Sequence, residues 1–161
     1  MSHITNTVLM IRPVQFRMNE QTAVNNFYQK NSDTLPETVN AKATQEFDSM
    51  VEQLSNANIQ VIVVQDTKEF DTPDSIFPNN WISFHKNGTI GLYPMFAKNR
   101  RLERKDSILE AVEAEGFVIE TVVDYTEAET DGFYLEGTGS IWLDRENHKA
   151  YCALSARADE E

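Results

Sequence analysis

Glu136 stands in Tyr134–Ser140 (YLEGTGS), between an apolar approach and two glycines, just ahead of a β-prone run. Glycine lets backbone pass close to a neighbour, and an acid held there could bind a cation or orient a base. A tight turn with an exposed acid fits the same spacing equally well. The second chemical stretch is Asp71–Trp81 (DTPDSIFPNNW). Pro73 and Pro78 lack backbone donors, which keeps them out of a central strand. Ile76, Phe77 and Trp81 are too apolar for an ordinary solvated loop, so Asp74, Asn79 and Asn80 suggest a wall of a polar pocket. The competing reading is a buried connection whose asparagines satisfy their own backbone. Arg157 and the Arg100–Arg101 pair could grip a carboxylate through guanidinium forks. Arginines at helix starts more commonly face solvent or join a surface ion pair.

A nucleophile and a base are harder to find. Cys152 lies inside Tyr151–Leu154 (YCAL), a strand-like run with no cationic neighbour, and reads as a buried structural thiol. His3, His85 and His148 are scattered without metal-ligand spacing, and the last two fall at turns, where a surface position is expected. No phosphate-binding glycine loop or nucleophile elbow is present. The chain therefore offers acids, amides and arginines, a binding half without a catalytic half. No metal and no cofactor is implied.

Composition narrows the class. A chain of 161 residues can bury a real core. A formal net charge of -12 with no basic block argues against nucleic acid as a partner. No apolar run approaches the roughly 20 residues of a spanning helix, so no membrane role is expected. The N-terminus lacks a basic n-region followed by a long apolar run, and a lone cysteine permits no internal disulfide. Both features point to a cytoplasmic setting.

The positioning elements follow from periodicity. Thr7–Ile11 and Gln60–Gln65 read as buried strands. Asn19–Asn31 fits either a helix or an ordered flap, and Ser32–Asn40 reads as loop. Ala43, Phe47, Met50, Val51 and Leu54 form one helical stripe. Ile82–Phe84 and Thr89–Tyr93 flank an Asn-Gly turn, a strong hairpin signal. Leu102, Ile108, Leu109 and Val112 mark a helix stopped by Gly116. Phe117–Val123 reads as a strand, and Ser140–Leu143 with Ala150–Leu154 as a second hairpin turning through Asp144–Lys149. The order repeats at a spacing of about 57–60 residues, as in repeat architectures. Val61 matches Val118, the Ile82 hairpin matches the Ile141 hairpin, and Asn99-Arg100-Arg101 matches Ser155-Ala156-Arg157 in this register. Approximate units are 1–70, 71–131 and 132–161 of a single partial domain. Ser155–Glu161 resembles a helix start with acid in its first turn. The chain is expected to be the front part of a longer protein.

These residues together resemble the guanidino-group-modifying enzymes: amidinotransferases, arginine deiminases and dimethylarginine hydrolases. The likeness is strongest to the amidinotransferase-like group that includes citrulline-utilising hydrolases. It is carried by Thr5–Pro13 (TNTVLMIRP), Thr72–Ser83 (TPDSIFPNNWIS), Tyr93–Arg104 (YPMFAKNRRLER) and Leu135–Arg157 (LEGTGSIWLDRENHKAYCALSAR). The resemblance implies an α/β fold, here an incomplete pentein-type propeller of ββαβ units, five in the whole enzyme. It implies hydrolysis of a C–N bond in a guanidino or ureido amino acid through a covalent cysteine. Amidino transfer, a non-catalytic amino-acid-binding module and a structural relic are the alternatives.

By the same resemblance, Glu136 matches the acid that binds the guanidino group and orients the catalytic histidine. Asn80, beside Asn79, falls where many members carry an aspartate on the other substrate nitrogens. Asp74 matches a substrate-contacting acid, while Arg157 and one of Arg100 or Arg101 match arginines on the substrate carboxylate. An amide at Asn80 suits a neutral ureido group, which favours a citrulline-like substrate. Neither Cys152 nor a histidine here matches the nucleophile or base, so both are expected beyond Glu161 and the chain is expected to be inactive alone. Self-association through exposed propeller edges is expected as well.

Overall fold

Thr7–Arg12 (β1) and Gln60–Gln65 (β2) pair in parallel, from Thr7 opposite Gln60 to Arg12 opposite Gln65. The computed structural model describes residues 5–26, 29 and 34–160. Parallel neighbours need a crossover, and a helix spanning Pro36–Asn56 (α2) supplies it. Before it comes a short helix, Glu20–Ala23 (α1), with Asn19 as its N-cap: the Asn19 side chain accepts from the Gln21 N–H. This resolves part of the open Asn19–Asn31 reading. Phe27, Tyr28 and Asn31 lie outside the described residues, as do His3, Ser32 and Asp33.

The middle unit is the most complete. Ile82–Phe84 (β3) and Thr89–Leu92 (β4) form the expected antiparallel hairpin, with Gly88 at φ +77 in its turn. Lys98–Arg101 (α3) and Asp106–Ala114 (α4) follow. Thr121–Asp124 (β5) then returns parallel to β4. That is one ββαβ unit. In the last unit Gly137–Ser140 (α5) leads into Ile141–Asp144 (β6), which pairs antiparallel with Lys149–Cys152 (β7). Among the described residues the result is a mixed α/β fold of three small sheets, none closed.

The core gathers around the middle unit. Trp81, Ile82, Ile90 and Met95 pack with Ile11 of the first unit and Ile108 of α4. Leu9, Val64, Phe117 and Ile119 close over them. Thus the Asp71–Trp81 loop is anchored at its end by a fully buried tryptophan, with Thr72, Pro73 and Ser75 also buried.

Several expectations need correction. The stretch Ser32–Asn40 is not all loop, because α2 begins at Pro36, where a ring-fixed φ and a missing N–H cost nothing. The stripe on α2 turns Phe47 inward but leaves Met50 exposed. Leu102 lies outside α4 and is exposed, while Ile108 and Val112 face the core. Only the end of Phe117–Val123 joins a ladder, and Val118 is exposed, so its match to Val61 does not hold residue for residue. Ser155–Ala158 closes as a tight turn through two backbone hydrogen bonds of 3.0 and 3.1 Å instead of starting a helix; Glu161 lies outside the described residues. Its match to Asn99–Arg101, which is helical, is therefore one of order and not of conformation. Cys152 is exposed, because β7 has solvent on both faces.

Candidate functional site

Glu136 is sealed, with no exposed surface, which overturns the exposed-acid reading. Three segments meet on it. From the Asp71–Trp81 loop, Asn80 Nδ2 donates to Oε2 at 3.1 Å. From the segment after β4, the Phe96 N–H donates to Oε1 at 3.2 Å. From the Ser155–Ala158 turn, Arg157 places Nη1 3.6 Å from Oε2. The Glu136 backbone is fixed too, its N–H donating to the Arg157 carbonyl at 3.1 Å. A buried carboxylate needs such partners, since leaving one unpaired is costly.

The two glycines have a different use from the one their type suggested. A methyl group on Gly137 would lie 2.5 Å from the Asn79 carbonyl oxygen, and one on Gly139 would lie 2.6 Å from Asn80 Nδ2. The glycines make room for the asparagine loop itself. Gly137 also sits at φ +36, where a side chain is disfavoured. Asn79 is exposed, and its carbonyl accepts from Thr138 Oγ1 at 3.3 Å. Asn80 is buried and committed to Glu136 through its side chain, not to its own backbone.

Asp74 forms a second buried centre. Its Oδ2 accepts from Asn19 Nδ2 at 2.8 Å and Thr22 Oγ1 at 3.1 Å. Asn19 and Asn99 exchange amide hydrogen bonds of 3.2 and 2.9 Å, tying α1 to α3. Asn19 and Thr22 were not singled out by sequence. The N-cap pattern of an asparagine before an acidic first turn was the available signal.

The two adjacent arginines separate. Arg100 is buried, at 3% exposure, and gives its guanidinium to Glu103 at 2.9 and 3.0 Å and to the carbonyls of Phe77 and Asp74 at 3.0 and 3.3 Å. This is not the solvent or surface pairing expected of it. Burial pushes the Glu103 carboxyl up to about 7 against the pull of Arg100. Burial also works to lower the Arg100 guanidinium, but Glu103, Asp74 and Glu136 more than offset it. Arg101, 22% exposed, pairs with Glu129 at 3.4 Å, donates to the carbonyls of Met95 and Phe96 and lies 5.8 Å from the Tyr134 ring centroid. Arg157 is 29% exposed.

The imidazole and the thiol lie elsewhere. His85 is half-buried, accepting at Nδ1 from Arg145 at 2.7 Å and contacting Ser83 Oγ through Nε2 at 3.0 Å. Among the described residues, no cluster of three or more His, Cys, Asp or Glu could hold a metal ion. No helix among them is long and apolar enough to cross a membrane.

Comparison with known proteins bears on the fold and the family. No curated protein matches the chain. Its fold matches ArgZ, an arginine dihydrolase from the ornithine–ammonia cycle in cyanobacteria, at a TM-score of 0.66 and 18% identity. That match covers 96% of this chain and 21% of ArgZ. The substrate-bound N-terminal domain of ArgZ matches at a TM-score of 0.63 and 18% identity, over 96% of this chain and 51% of that domain. AgrE in ternary complex with ornithine and NAD+ matches at 0.64 and 20% identity, over 96% of this chain and 20% of AgrE. The chain thus spans about half of one ArgZ domain and about a fifth of the full-length relatives. A family model, N,N dimethylarginine dimethylhydrolase of eukaryotic type, matches residues 12–161. With nearly its whole length matching that model, the chain belongs to the N,N dimethylarginine dimethylhydrolase family of pentein-type, guanidino-modifying enzymes.

Proposed function

We propose that the chain supplies the substrate-holding half of a hydrolase that cleaves a C–N bond in a guanidino or ureido amino acid. The observation that carries this reading is the meeting of Asn80, Glu136 and Arg157 across three separate segments. Asn80 presents its amide to the planar group and the sealed Glu136 holds that amide in place, with Asn79 at the exposed rim. Arg101 and Arg157 keep partly exposed guanidinium groups, and these take the carboxylate. Arg101 also pairs with a carboxylate, Glu129 at 3.4 Å, and two carbonyls, but it is partly exposed, whereas Arg100 at 3% exposure is sealed and is the less suitable of the adjacent pair. Asp74 supports the site from beneath α1. ArgZ as an arginine dihydrolase, and AgrE bound to ornithine, support an amino acid of this class.

Charge refines the substrate. The Glu136 carboxylate already faces Arg157 at 3.6 Å, and Asn80 adds no charge. A guanidinium cation gains little there, whereas a neutral ureido group can both accept from and donate to Asn80. A citrulline-like ligand is preferred over arginine on this ground. The nucleophilic cysteine and the histidine are supplied by sequence outside this chain, and three small sheets become blades of a pentein-type propeller on joining that remainder.

Calorimetry and product assays on the 161-residue chain test the reading together. Citrulline binds more tightly than arginine, the Glu136→Gln variant weakens arginine more than citrulline because Arg157 is left without its counter-charge, and neither amino acid is turned over. Turnover by the chain alone would refute the missing-nucleophile account. Silence toward both amino acids would leave a relic as the better explanation.

A further inference from the structure

We infer that Arg100 and Glu103 are positioning residues that set the orientation of Asn80, through the carbonyl of Phe77. The inference rests on the reading of Asn80 and Glu136 as the substrate-holding pair, and goes beyond it to the device that aims the amide. The Phe77 carbonyl accepts from Arg100 Nη2 at 3.0 Å and also from the Asn80 N–H at 3.3 Å. One oxygen therefore joins the buried guanidinium to the backbone of the residue that presents the amide. The same guanidinium reaches the Asp74 carbonyl at 3.3 Å, so both ends of the Asp74–Phe77 turn hang from one side chain.

Glu103 makes the strut rigid. Its two oxygens accept from Nε and Nη2 of Arg100 at 2.9 and 3.0 Å, a fork that fixes the plane of the guanidinium. Both side chains are buried, at 2% and 3% exposure, and the three-residue spacing carries Glu103 just past the end of α3. Lysine could keep the charge but not the plane, because an ammonium has no fixed fork. Beyond Asn80, the path ends at Glu136, whose Oε2 receives the aimed amide.

The test reads Asn80 directly by NMR of the full chain, its side-chain amide pair being assigned by its loss in Asn80→Asp. In Glu103→Gln and Arg100→Lys that pair shifts away from its wild-type position, while Gln53→Ala, on the solvent side of α2, leaves it in place. A general loss of stability would spread over the spectrum and would not single out Asn80. An unmoved pair in either folded variant overturns the inference. Should neither variant fold, wild-type hydrogen exchange decides. A strutted Asn80 N–H opens no faster than the core amide of Ile90, and exchange at a free loop rate overturns the strut. No ligand enters these measurements, so failure of the proposed substrate reading and failure of the strut are told apart.

Discussion

A methyl group on Gly137 would meet backbone, whereas one on Gly139 would meet the end of the Asn80 side chain. The two substitutions should therefore fail in different ways. Gly137→Ala, strained at positive φ, is expected to cost about 1–3 kcal/mol in urea unfolding. Gly139→Ala should cost less than Gly137→Ala, since a side-chain end gives way more readily than backbone, and should weaken ligand binding by turning the amide off Glu136. Equal losses of stability in both would contradict this division. His85 gives a pH prediction. Partial burial and the Arg145 guanidinium hold its imidazole below the ordinary 6.5. The folded state thus resists a proton that the unfolded chain accepts, and stability is lost as pH falls through about 6.5. His85→Gln should flatten that slope in a series of thermal melts, and an unchanged slope would count against the assignment. At this scale the sequence was partly legible. The acid, the asparagine pair and the arginines were visible as types, and the family match spans them. What lay hidden was the division of labour between Arg100 and Arg101, because neighbours on a short helix face different surroundings that no local pattern encodes. Cys152 misled for a related reason: an apolar strand implies burial only when something covers it.

Of the three sheets, the β6–β7 hairpin is the least supported. Trp142 and Tyr151 pair across it, with ring centroids 5.7 Å apart, yet both are exposed. Two strands alone are marginal, and the middle unit shows what is lacking, a helix such as α4 packed on its hairpin. Amides of β6 and β7 should exchange with solvent well before those of β4, whose Ile90 is fully buried. Equal protection of the two hairpins, read by mass spectrometry, would show cover that this structure lacks. Element types were the most legible feature of the sequence. Both hairpins, α2 and the strands β1 and β2 follow from apolar period and turn chemistry, while the parallel pairing of β1 with β2 was not read from them. Boundaries were less so. Pro36 reads as a breaker in isolation and as a helix start in context, and Phe117–Glu120 carries apolar residues that pack on the core without joining a ladder.

For the molecule as a whole, unsatisfied surface and heavy charge oppose each other. Trp142, Leu154, Val118 and Val122 are exposed apolar groups, and such surface favours association. A formal net charge of -12 resists it, so added salt should promote the self-association proposed for this chain. Light scattering in a salt series checks this, and a monodisperse monomer throughout would contradict it. The repeat spacing suggested a propeller of like units, whereas the sheets among the described residues do not close. The central claim is that Asn80, Glu136 and Arg157 form one amino-acid-binding centre. Chemical-shift mapping with citrulline tests it most directly. The account predicts that Asn79, Asn80, Phe96, Arg101 and Arg157 shift together while α2 stays still. Shifts confined to the Trp142–Tyr151 hairpin, or none at all, would contradict it.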